Sequence, residues 1–82
     1  MNTVSFLEWL KNEKSMSVRS AKDVVSRCGR VIRMLGTEEI NSDTGHLLVE
    51  NEGFLSSSMF IKSQLKRAVS LYLEFSVEQE KG

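Results

Sequence analysis

Few side chains in this sequence are suited to covalent or acid–base chemistry, and their spacing supports none of it. The 82 residues include one histidine, His46, and one cysteine, Cys28. A zinc site needs three or four ligands and a thiolate nucleophile needs a neighbouring base, so these two residues assemble neither. His46 reads as an ordinary loop residue, and Cys28, on the apolar side of a helical pattern, as a small buried hydrophobe. The carboxylates Glu38, Glu39 and Asp43, and the pair Glu50 and Glu52, lie in turn-rich sequence without a third ligand or an apolar pocket to shift a pKa. They read as a solvated acidic patch suited to docking a basic partner surface. The scattered glycines match neither a P-loop nor a dinucleotide fingerprint. Tyr72 falls on an apolar helical arc with no basic cluster around it, and reads as a core residue. The sequence therefore predicts no catalytic residue, metal, cofactor or small-molecule substrate; the chain reads as a non-enzyme.

Its length implies one small helical domain over residues 1–82, and a single cysteine excludes an internal disulfide. Hydrophobic residues make up 40% and charged residues 27%, ordinary globular values that argue against a disordered chain. Apolar runs reach only three residues, against about 18 for a bilayer span. The polar Met1-Asn2-Thr3 start does not resemble a signal sequence, so a cytoplasmic protein with no membrane segment is expected.

The 11 basic and 11 acidic residues cancel, but they are segregated. Residues 11–33 carry a net +5, residues 34–55 a net −5 with no Lys or Arg, and residues 56–73 a net +3. Such asymmetry points to a polyanion on one side of the molecule.

The elements that must carry these charges are helices. Ser5-Phe6-Leu7-Glu8 fits a capping box, with Val4 placed to staple onto Trp9, for a helix over about residues 4–14. Ser17 is a good N-cap for a second helix, which Gly36 should stop after Leu35. On that helix Ala21, Val24, Val25, Cys28, Val31, Ile32 and Leu35 cluster on one side. Gly29, inside it, costs about 1 kcal/mol relative to Ala. It marks either a tolerated flaw or the close approach of another helix or a phosphate backbone. A short helix or turn is expected near residues 43–51. Ser56, Ser57 and Ser58 offer N-caps for a last helix reaching about Val77, followed by a frayed acidic tail over 78–82. Phe60, Ile61, Leu65, Ala68, Val69, Leu71, Tyr72 and Phe75 should make that helix the most buried element. The whole is an all-α bundle of about four helices.

Opposite its apolar side, helix two carries Arg19, Lys22, Ser26, Arg30 and Arg33 within about 80°, with Asp23 and Arg27 at the margin. Lys62 and Lys66 form one row on the last helix, and Ser63 and Arg67 the next. Lys and Arg neutralise phosphates and release counterions, while Ser hydroxyls and helix N-terminal amides bond phosphate oxygens. Two such ridges lying side by side, with Arg30 and Lys66 directed the same way, would grip one phosphate-lined surface; ridges pointing in opposite directions, or neutralised by the acidic connector of residues 34–55, would end this two-ridge reading.

Phe6-Leu7-Glu8-Trp9-Leu10 followed by Ser17-Val18-Arg19-Ser20-Ala21-Lys22 resembles the start of the core-binding domain of tyrosine recombinases, the phage-integrase family. Residues 58–75 are similar to that domain's last long helix. The resemblance spans most of the chain except residues 37–55, a segment short and acidic for the family. It implies a SAM-like bundle forming one jaw of a clamp on double-stranded DNA, and a role in DNA recombination alongside a recombinase catalytic domain. By position, Ser17, Arg19, Ser20 and Lys22 match the helix-two start, and Lys62, Lys66 and Arg67 the basic face of the last helix. Arg30 and Arg33 extend the contact along helix two. The alternative is a protein-interaction or self-association domain that pairs the acidic 38–52 and basic 19–33 patches.

Overall fold

The computed structural model of the protein describes residues 2–81. Five helices follow one another, α1 (Thr3–Glu13), α2 (Val18–Leu35), α3 (Thr44–Glu50), α4 (Glu52–Leu55) and α5 (Met59–Lys81). No strand occurs among the described residues, so the fold is all-α, a small helical bundle as the periodicity predicts. The single-turn α4 is the element added to the expected four.

Each helix start has a local cause. At α1 the cap is Asn2, whose side-chain oxygen accepts the Ser5 amide at 3.1 Å, rather than Ser5 itself. Asn caps as well as Ser does, and the earlier start leaves Val4 70% exposed instead of stapled to Trp9. Ser17 caps α2 as expected, its hydroxyl accepting the Ser20 amide at 3.1 Å. Gly36 ends α2 at φ +67°, a left-handed conformation that turns the following Thr37 amide back onto the Ile32 carbonyl at 3.2 Å. Asn51 caps α4 by accepting the Phe54 amide at 3.1 Å, and its side-chain amide donates to the Met34 carbonyl at 3.2 Å. One residue thereby starts α4 and ties it to the end of α2. Ser58 caps α5, accepting the Ile61 amide at 3.2 Å.

The helix α5 runs on to Lys81, so residues 78–81 are helical where a frayed tail was expected; Gly82 lies outside the described residues. A tertiary contact holds this extension. The Trp9 indole N–H donates to the Glu78 carboxylate, and Lys14 pairs with Glu74 at 2.6 Å.

One core joins all five helices. Phe6, Leu10, Ala21, Cys28, Val31, Leu48, Phe54, Leu65 and Ala68 are buried in it, and Tyr72 and Phe75 complete its aromatic end. Phe6 meets Tyr72 edge-on at 5.1 Å between ring centroids and Phe75 at 5.2 Å, while Trp9 meets Phe75 at 5.7 Å. Phe60 departs from the expectation, being 70% exposed. It stands at the edge of the apolar arc, about 80° round from Ala68, in the first turn of α5. Phe54 of α4 fills the core at that end instead.

Phe6 is fully buried against three aromatic rings. Phe6→Ala is expected to remove about 3–5 kcal/mol of stability, measured by denaturant unfolding.

Candidate nucleic-acid interface

The rotation of α2 and α5 about their axes decides where each basic side chain points. It is set where the Cys28 thiol donates to the Ala68 carbonyl at 3.3 Å. Burial pushes the Cys28 thiol up to about 12, so at neutral pH it is a protonated packing group, as expected from its place on the helix. Burial and the Glu39 carboxylate likewise raise the Tyr72 phenol above its ordinary range. Both residues belong to the core.

From that contact the charged faces follow. Arg27 and Arg67 flank Cys28 and Ala68 by one residue, and both border a polar cleft of about 360 Å³ with Ser17, Ser20 and Asp23. Ser15 and Met16 of the α1–α2 connector close one side of it. Ser15 there holds a positive φ of 53°, unusual for a residue with a side chain. The cleft thus lies at the capped start of α2 and takes one arginine from each long helix. Ser17, Arg19 and Ser20 are exposed beside it.

Lys22, Arg30 and Arg33 are exposed along α2. Lys22 leans toward α1, where it borders a notch with Val4 and Leu7. Lys62 and Lys66 face a different neighbour, each holding its ammonium 5.9 Å from the centre of the Phe54 ring on α4. Lys66 also borders α3 near Val49. The expected pair of parallel ridges is therefore not formed. Arg30 lies two residues after Cys28 and Lys66 two before Ala68, so each is about 200° round from the α2–α5 contact. The Arg30 and Lys66 ridges point away from each other, and the basic residues that α2 and α5 do bring together are Arg27 and Arg67.

Neutralisation by the acidic connector is likewise absent. Among the described residues the ion pairs are Lys11–Glu8 and Lys14–Glu74, and neither uses a basic residue of α2 or the lysines and arginine of the α5 face. Those charges are carried without carboxylate partners.

Arg27 is the residue that sequence reasoning left at the margin. Its signal was the seven-residue spacing from Ser20, which puts both on one helical row; that this row faces Arg67 depends on packing across α2 and α5. His46 is exposed on α3 rather than in a loop, and no group of three or more His, Cys, Asp or Glu among the described residues is placed to hold a metal. No helix among the described residues is long and apolar enough to cross a membrane.

Gly29 shows no close approach. A methyl group there would meet only the tip of the Arg33 side chain, at 3.5 Å. Comparison with known proteins adds no relative: no family model, curated protein or solved structure matches the chain.

Gly29→Ala is expected to raise stability by about 0.5–1 kcal/mol through helix propensity. Thermal unfolding measures the gain, and the added methyl should leave the cleft untouched.

Proposed function

We propose that this chain is a non-catalytic module that binds double-stranded DNA, gripping the phosphate backbone with the outer face of α2 and with Arg67 of α5. It resembles in this the SAM-like core-binding jaw of tyrosine recombinases, whose catalytic domain would be its natural covalent or non-covalent companion. The observation that carries the reading is the convergence of Arg27 and Arg67 on the polar cleft at the start of α2. Arg19, Lys22, Arg30 and Arg33 continue the positive charge along the same helix without ion-pair partners.

The chemistry is that of backbone recognition. Ser17 caps the Ser20 amide, and the Val18 and Arg19 amides of the first turn have no intrahelical acceptor, so the helix start offers donors to an anion. Arginines release counterions from the phosphates and bond them through a planar fork. An 18-residue helix is about 27 Å long and fits a major groove about 12 Å wide. Lys62 and Lys66, turned toward α4, add to the long-range field rather than to the grip.

The double substitution Lys22→Glu with Arg30→Glu should leave the circular-dichroism spectrum unchanged and abolish duplex binding, since both side chains are exposed. Wild-type binding should fall steeply with salt, by about 0.9 in log K per log salt for each phosphate neutralised. Equal duplex affinity of wild type and double variant at low salt would reject the proposal.

A further inference from the structure

A cleft runs along α5 on the side where the α2–α3 connector and α3 pack against it. Its wider part, of about 620 Å³, lies between Glu39 and Ile40 of the connector and Tyr72, Leu73, Val77 and Glu80 of α5. A second part, of about 250 Å³, shares Ser42 and Leu73 with the first and continues past Leu48 and Val69 to Lys66. On α5 the lining residues Lys66, Val69, Leu73, Val77 and Glu80 recur at steps of three and four, which places them on one face over about 21 Å of helix. Leu73 comes six positions after Arg67, about 120° round α5, so this cleft and the one bordered by Arg27 and Arg67 open on different sides of the helix.

The lining combines two chemistries. Ile40, Leu48, Val69 and Tyr72 form an apolar floor, and Val77 stands 50% exposed at the rim. The wider part also carries two exposed carboxylates, Glu39 and Glu80, and no Lys or Arg. Neither carboxylate has an ion-pair partner among the described residues. A nucleic acid is repelled by this charge. The basic face of a second copy meets the charge but not the floor, because Val18 is the large apolar residue that α2 exposes. An amphipathic helix satisfies both, its apolar stripe covering the floor and its Lys or Arg side chains reaching the carboxylates. The span from Lys66 to Glu80 accommodates about four helical turns of such a segment. We infer that the cleft between α5 and the α2–α3 connector is the docking site for a cationic amphipathic helix of a partner protein. This site lies apart from the basic face of α2 and needs no DNA.

Fluorescence anisotropy with the full chain, without DNA, tests this docking site. The probe is a labelled peptide of about 14 residues, with leucines at i, i+3, i+4 and i+7 spacing and lysines elsewhere. Wild type should bind it, and should bind about tenfold more weakly a scrambled peptide of the same composition that has no apolar stripe. Glu39→Lys with Glu80→Lys should keep the circular-dichroism spectrum, since both side chains are exposed, and should weaken the striped peptide about tenfold. Glu50→Lys with Glu52→Lys makes the same change of charge at exposed positions outside the lining, and should change the affinity by less than about twofold. Failure of wild type to bind the striped peptide overturns the site. Equal affinity for the scrambled peptide, or equal losses for the two pairs of substitutions, does so too, since either shows attraction to negative charge alone.

Discussion

The contact between α2 and α5 governs the surface of this protein as much as its core. Ala21, Cys28 and Ala68 are small, buried side chains on the two long helices, and they allow a close approach that larger residues would prevent. The Cys28 thiol donates to the Ala68 carbonyl across this contact, which marks the residues of the two helices that face each other. Helical geometry turns every position about 100° from the last, so this register sets the side of each helix from which its arginines project. The residues just before Cys28 and Ala68 are Arg27 and Arg67, and they converge on one cleft. Residues two positions away, Arg30 and Lys66, are sent to opposite sides.

Two surfaces of different chemistry result. One is the cationic face of α2 with its serine-capped start, the face to which the proposed function assigns phosphates. The other is the α4–α5 corner, where Phe54 is buried beneath two lysines while Met59 and Phe60 stand outside. The one thiol is held protonated by burial, and no group of three or more His, Cys, Asp or Glu among the described residues is placed to hold a metal. With zero net charge, the proposed attraction to DNA would rest on local rather than overall positive potential and act over about a Debye length.

What the sequence made legible is what local chemistry decides. The bounds of α2 could be read at both ends because Ser17 and Gly36 each act through their own backbone neighbours. The buried side of α2 followed from spacing alone. Expectations failed where a distant residue intervened. Glu78 stays helical because Trp9, 69 positions earlier, donates to it. Phe60, at the edge of its helix's apolar arc, is exposed, while Phe54 of α4 is buried in the core. Asn2 displaced Ser5 as the cap of α1 because two adequate caps competed and the pattern did not rank them. The basic rows of each helix were visible from spacing, but which row of α2 meets which row of α5 was not. Helical wheels put Lys66 and Arg67 in neighbouring rows of one helix, and the packing of α2 on α5 decides which row meets Arg27.

That separation gives the sharpest test of the account. Lys66 and Arg67 are adjacent, both exposed and equal in charge, and they differ in what they face. Duplex affinity measured by fluorescence anisotropy at about 0.1 M salt should fall about tenfold for Arg67→Ala, in the range of a lost phosphate-binding arginine, and change little for Lys66→Ala. Equal losses for the two variants, or no loss for Arg67→Ala, would contradict the assignment of the α2–Arg67 face as the DNA-binding surface.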